Sequence, residues 1–262
     1  MFTSIMRASL PGLALALVPL AVATAADLPA KAPSAPVFSW TGCYIGINGG
    51  GGTSGSNFTT VVGNGTHLTP ADAATVSSLG TGSGNDSQFV GGGQVGCNWQ
   101  SGTLVYGIEA DADYFRTNPT FLDGTGTLST GDTFAVSQSL RTDYLASVRP
   151  RLGVAADRSL FYITGGAAFT RVSYIETYAD TLNAGFGTAT GAQSLIGWTV
   201  GTGWEYAWTD HCIFRVEYLF ADFRKTTNAV GRIVDTAGGS NPLSGSADLV
   251  TQTLRAGLSY KF

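Results

Sequence analysis

The chain has 262 residues, a formal net charge of −4 and only 12% charged residues beside 44% hydrophobic ones, with 36 glycines and 11% aromatics. Such a dilute, acidic charge pattern argues against a nucleic-acid partner. Glycine and aromatics at low charge suit paired strands and tight turns better than helices, so a soluble β-protein and a barrel in lipid are the two classes left open.

In chain order, Met1–Arg7 carries one positive charge, the next stretch to Val22 is mostly apolar, and Ala23-Thr24-Ala25 has the small-x-small form of a cleavage site. Residues 1–25 are therefore predicted to be a secretory signal peptide, because the apolar run is short and broken by Pro11 and Pro19. No later stretch of the sequence is apolar for long enough to make a spanning helix. Residues 26–39, ADLPAKAPSAPVFS, are proline-rich and predicted to be an extended periplasmic leader.

From Trp40 to Phe262, period-2 segments predict eight strands near 40–51, 87–100, 103–116, 137–154, 160–176, 194–208, 211–223 and 249–262. Long polar connections (53–86, 117–136, 177–193, 224–248) alternate with short ones. That alternation is expected of an all-β fold, an eight-stranded antiparallel transmembrane β-barrel with four long surface loops and short periplasmic turns. Proline at 150 lies within the fourth segment and cannot donate to a ladder, so a bulge is expected there.

Face parity adds a second argument. Alternate positions of most segments are apolar, as in Leu104, Tyr106 and Ile108 or Leu254, Ala256 and Leu258. The opposite parity carries Glu109, Asp111, Asp113, Asp143, Glu205 and Glu217 together with Arg141, Arg149, Arg151, Arg215, Arg255 and Lys261. A charge facing mid-bilayer costs up to about 2–4 kcal/mol, so these residues are expected to face the lumen as a network of ion pairs. The fifth segment, LFYITGGAAFT, is apolar on both parities, and Arg171 suggests that its odd positions point inward. Trp99, Trp204, Tyr206, Trp208 and Tyr260 gather at the short-turn end, where an aromatic girdle would anchor an interface.

The strings FSWTGCYIGINGGGG, TDYLASVRPRLGVA, FYITGGAAF, VGTGWEYAW, FRVEYLFADF and LRAGLSYKF, in this order, resemble the small outer-membrane β-barrel surface proteins of rhizobia-type α-proteobacteria. That family is related to opacity-type and OmpA-like barrels and is often labelled porin-like. The resemblance implies the outer membrane as location, with outer-membrane lipid and lipopolysaccharide as surroundings. It also implies that Leu258, Tyr260 and Phe262 form the C-terminal signal read by the barrel-assembly machinery. The sequence departs from the family at Cys43, Cys97 and Cys212, all on the apolar parity, and at Pro150, where glycine is more usual. An antiparallel first hairpin would set Cys43 opposite Cys97, so the two are either a disulfide or simply small apolar residues in the outer wall.

No enzyme constellation is evident and no cofactor is expected. His67 and His211 fall in connections at opposite ends, so they are not expected to share a metal, and no CxxC is present. His67 with Asp72 and loop serines is the one arrangement that could be catalytic, and a solvated loop histidine is the simpler expectation. The glycines at 49–52 and 91–93 precede no helix or phosphate-binding lysine and are expected to let side chains pack across the wall. The Glu109, Asp111 and Asp113 row could line a cation path, but pairing with Arg141, Arg149 and Arg151 of the next segment is the stronger expectation. An eight-stranded barrel is filled by its own side chains. The expected role is thus a structural, surface-exposed barrel that contributes to envelope integrity. The alternatives are a narrow or gated channel for small solutes, and loop-mediated binding of haem or a host ligand, with His67 as the first candidate for haem.

Overall fold

The computed structural model describes residues 38–262, apart from the side chains of residues 224–227. The expected signal peptide and all but Phe38 and Ser39 of the expected leader lie outside the described residues. Nine strands follow in order: β1 (Gly42–Val62), β2 (Gly82–Ser101), β3 (Leu104–Phe115), β4 (Thr120–Thr127), β5 (Thr133–Ala156), β6 (Ser159–Asp180), β7 (Phe186–Ala207), β8 (Cys212–Val234) and β9 (Ser240–Lys261). One helix, α1 (Pro70–Leu79), lies between β1 and β2.

Each strand pairs antiparallel with its neighbour, and β1–β9 pairing closes the ring. β3 and β4 share one partner: β3 pairs with residues 144–154 of β5, and β4 with residues 133–139. The interruption between them is bridged where Thr117 and Thr142 exchange backbone and hydroxyl hydrogen bonds of 2.9–3.0 Å. The ring therefore has eight positions. Closure leaves no unpaired edge, the condition for a sheet in hydrocarbon.

The strands run well past the segments expected from periodicity. β1 continues to Val62, β2 begins at Gly82, and β9 begins at Ser240, so most of the four long polar connections are paired strand. What remains at that end is 63–81, which contains α1, and the turns 128–132, 181–185 and 235–239. The sequence changes character there because the environment inverts. Around the lower half, outward side chains are apolar and exposed, among them Ile47, Val95, Ile108, Ile163, Val200 and Leu258. In the upper half, outward positions become Ser, Thr, Asn and Asp, while the inward ones form an apolar core that includes Phe58, Phe115, Phe134, Leu140, Val172, Phe223 and Leu249. The lower half is built for lipid outside, and the upper half for water outside.

Two parity assignments are corrected. β5 carries a bulge between Thr142 and Leu145, which shifts its register by one and exchanges its faces. Below the bulge Ser147, Arg149 and Arg151 point inward; above it Leu140 and Gln138 do. Arg141 and Asp143 are consequently outside, with side chains 45% and 42% exposed, rather than in the lumen. On β6 the even positions point inward, with Tyr162, Thr170 and Tyr174 buried, so Arg171 faces outward. Pro150 produces no bulge either. It faces outward opposite Ile108 in unbroken register with β3, and β6 resumes the same register on both sides of it.

The hairpin β1–β2 places Cys43 opposite Cys97, where they are joined by a disulfide with Cα atoms 4.0 Å apart; Cys212 is not bonded. Both glycine runs leave room for inward side chains of nearby strands. Inward Gly52 leaves room for the Phe115 ring, which a Cβ would meet at 2.6 Å, and Gly92 leaves room for Asp113, at 2.5 Å.

Candidate functional site: a filled lumen beneath a latched outer cap

The lumen is filled in layers. At the end where the strands are joined by short turns, Phe38 and Trp40 fold into the mouth and pack with Val105, Leu160, Tyr162 and Ile213. Trp40 is fully buried; its N–H donates to Gln100 Oε1 at 2.7 Å and its indole to the Asp157 carbonyl at 3.3 Å. The expected leader thus ends inside the barrel rather than beneath it.

Above this plug lies a buried cluster of Glu109, Asp111, Asp113, Glu205 and Glu217 with Arg149, Arg151, Arg215 and Arg255. Register brings Glu109 opposite Arg149, 2.7 Å apart, and curvature brings the far wall into reach. Arg215 grips both oxygens of Glu109, at 2.7 and 2.9 Å. Arg255 reaches Glu217 through two nitrogens, at 2.7 and 3.0 Å, and also reaches Asp113. Asp111 accepts from Ser147 at 2.6 Å and from Arg149 at 2.8 Å. Arg151 pairs with Glu205 at 2.8 Å and stacks on the Tyr162 ring, 3.9 Å from its centre. The tyrosine hydroxyls complete the layer, Tyr44 donating to Glu109 at 2.5 Å and Tyr162 to Glu217 at 3.0 Å. Removing one partner from such a cluster costs about 3–5 kcal/mol, because the other charge is stranded without water. Lys261 is not in it: its ammonium sits at the rim, over the Phe38 ring and against the Ser39 carbonyl.

Between this layer and the apolar core, the wall and lumen enclose a void of about 10 Å³ lined by Asp111, Ser147, Thr199 and Thr251. That is room for about one water. The apolar core then fills the upper barrel and is closed by α1, whose Ala73 and Val76 pack into it beside Leu68. The helix starts where it does because Thr69 caps it, accepting from the Asp72 N–H at 3.2 Å, with Pro70 following.

The connections over this core are tied to one another. His67 lies between two carboxylates, Nδ1 2.6 Å from Asp235 and Nε2 2.6 Å from Asp180, and its side chain is 0% exposed. Burial disfavours its charge, but the hydrogen bonds and negative charges of Asp180 and Asp235 outweigh burial and raise its pKa above 6.5. Asn241 accepts from the N–H groups of His67 and Leu68, at 3.1 and 2.9 Å, and donates to the Gly63 carbonyl. Asp72 accepts from the Ser129 N–H at 2.7 Å and hydroxyl at 2.8 Å, binding α1 to the turn before β5. The β1–α1 connection, the upper end of β6 and the β8–β9 connection thus meet at a single imidazole.

This changes the reading of His67. Its partners are Asp180 and Asp235, and Asp72 is engaged elsewhere, so the Ser-His-Asp arrangement considered above is absent. With both ring nitrogens occupied inside the cap, His67 also cannot serve as a haem ligand in this conformation. Nothing in sequence spacing points to Asp180 and Asp235, since they lie 113 and 168 residues from His67. His211 stacks on Tyr260 at the opposite end. Leu258, Tyr260 and Phe262 lie along the outward face of the last strand, each about half exposed or more.

The chain is similar to known proteins over nearly its whole length. The chain is 33% identical over 252 residues to the 31 kDa outer-membrane immunogenic protein of Brucella melitensis, covering 92% of this chain and 93% of that one. It is 28% identical over 197 residues to the 22 kDa outer membrane protein of Rhizobium leguminosarum, covering 74% and 69%. Superposition on the outer membrane protein OprG of Pseudomonas aeruginosa covers 87% of this chain and 99% of that one, at 12% identity and a TM-score of 0.43. The family model described as outer membrane protein beta-barrel domain matches residues 13–262. With a closed ring, a lipid-facing belt and relatives of nearly equal length, this chain belongs to the family of outer membrane protein beta-barrel domains and is a protein of the outer membrane.

Proposed function

We propose that this barrel is a structural, surface-displaying element that contributes to envelope integrity, rather than a conduit. The observation that carries the reading is the occupancy of the lumen at successive heights: an aromatic plug, a charge-paired layer, an apolar core and a helical cap. A conduit needs a continuous wetted path, and the apolar core interrupts one. The immunogenic character of the Brucella relatives supports display of the outer half on the cell surface. Outer-membrane lipid with lipopolysaccharide and the barrel-assembly machinery, engaged through Leu258, Tyr260 and Phe262, are the partners this role requires.

The test has two parts. Purified barrel in planar bilayers is expected to give no conductance steps above a lipid control, whereas regular ohmic steps would overturn the reading in favour of a channel. Cells lacking the protein are expected to become more sensitive to detergent and to large antibiotics, with restoration by the full-length chain. Unchanged sensitivity would remove the envelope role.

A further inference from the structure

The bulge in β5 leaves Arg141 facing outward, beside two further outward arginines on the neighbouring ring positions. Arg116, Arg141 and Arg171 all point outward on three neighbouring ring positions, Arg116 and Arg171 level with each other and Arg141 just above. Thr117 pairs with Thr142, which sets Arg116 opposite Asp143. On the other side, Thr142 pairs with Val172 and Leu145 with Thr170, so Arg171 faces the bulged residues 143–144. Arg141 is one outward step higher, opposite Ser173. Neighbouring strands lie about 4.8 Å apart, so the Cα atoms of Arg116 and Arg171 are about 10 Å apart, and both long side chains reach the space between them.

The height is that of the belt's upper edge. Below Arg116 and Asp143 come Tyr114 and Tyr144, 57% and 39% exposed, and then an apolar wall in which Ala112 lies opposite Ala146. Above Arg171 the barrel has left the hydrocarbon, since the outward residues of the neighbouring strand β7 are Ser194, Ala192, Thr190 and Thr188. Both described chain ends lie at the opposite rim, so this edge is the outer-leaflet one.

The charge is local and unneutralised. Asp143 is the one carboxylate in the group, and its oxygen is 3.7 Å from Arg141. Arg116 and Arg171 have no hydrogen bond or ion pair among the described residues. On the β9 side of the barrel, the outward Asp248 near the same edge accepts from Asn57.

We infer that this patch binds the phosphate group of an outer-leaflet amphiphile, a phosphorylated acylated sugar whose chains lie along the alanine-lined wall below. Arginine suits the role because its planar fork meets phosphate oxygens with two parallel hydrogen bonds, and the interface strengthens such contacts by excluding water. Three guanidiniums against one carboxylate match a dianionic phosphate monoester. The inference rests on the membrane placement of the barrel, not on the envelope role proposed above.

The test uses folded full-length protein in phosphatidylcholine nanodiscs, titrated with diphosphorylated lipid A, with the same lipid A after phosphatase treatment, or with inorganic phosphate. The double variant R116Q/R171Q removes the two unpaired cations, and R158Q, at the opposite rim, controls for general charge. Wild type and R158Q are expected to bind phosphorylated lipid A at least about tenfold tighter than R116Q/R171Q does, at one charged hydrogen bond or more per arginine. Phosphatase-treated lipid A is expected to bind wild type no better than the intact lipid binds the variant, and inorganic phosphate is expected to bind neither measurably. Equal affinity of wild type and variant, or of treated and intact lipid, would overturn the inference. Saturable binding of phosphate alone would overturn the amphiphile. The variant's folding is read from its heat-shifted band in SDS, and R171E gives a second measure should the double variant not fold.

Discussion

The imidazole of His67 is the point at which two outer connections and the end of β6 meet, and replacing it tests the cap directly. His67→Ala removes two hydrogen bonds of 2.6 Å and leaves Asp180 and Asp235, both almost fully buried, facing a vacated space. The pair lies close to the outer surface, so solvent screens part of the loss. Water solvates the carboxylates once the cap opens, so the loss appears as cap opening rather than barrel unfolding, raising the open population by on the order of tenfold. Hydrogen exchange in detergent-folded protein reads this at the amides of residues 63–69, 181–185 and 235–239. They are expected to exchange faster in the variant by that factor, while amides of the lower barrel stay unchanged. The same latch has a pH signature. His67 has a folded-state pKa raised above 6.5, so its stabilisation is complete below the unfolded value and is lost as pH rises through the folded one. Asp180 and Asp235 hydrogen-bond the ring, and Tyr178 donates to Asp180 at 2.6 Å, so these are the groups that move with it. After correction for intrinsic rates, cap exchange is expected to accelerate as pH rises past that point in wild type and to be flat in the variant. Equal protection of the cap amides in wild type and His67→Ala would refute the reasoning.

In the upper core, burial pushes the Glu176 carboxyl up to about 7, against hydrogen bonds from Thr60 and Tyr174 that favour its charge, so its stabilisation is lost between the unfolded value of 4.5 and that point. Melting of the wild type is expected to weaken across this window, and Glu176→Gln to be insensitive to it; parallel profiles would contradict the assignment. In the lumen, Arg215→Met should destabilise by about 3–5 kcal/mol by stranding Glu109, lowering the temperature at which the SDS-resistant band disappears, and an unchanged transition would show the layer to be loosely coupled. Thiol labelling of denatured, unreduced protein should modify Cys212 alone, and all three cysteines after reduction. Deleting Phe262, an outward terminal residue 71% exposed, should lower the amount of barrel reaching the outer membrane while leaving the melting of refolded protein nearly unchanged; equal amounts would remove it from the assembly signal.

Local sequence carried the strand alternation, the ring of eight and the sign of most faces in the lower barrel, though not of β6, because side chains in a strand obey a period of two whatever lies around them. The row Glu109, Asp111 and Asp113 was legible for that reason, as was the opposition of Cys43 and Cys97 within one hairpin. Three features came only with the tertiary structure. The β5 bulge shifts parity by one residue without a glycine or proline at Thr142–Leu145 to announce it, and so misplaced Arg141 and Asp143. The extended outer strands were hidden because above the membrane the wet face is the outer one and the apolar set moves inside, so Ser, Thr and Gly in paired strand look like loop. The His67 latch joins residues from two connections and the end of β6, and closure of the ring, not spacing along the chain, brings them together. Period and composition belong to the sequence because they are local; register shifts and contacts across a lumen belong to the closed barrel because only closure sets those distances.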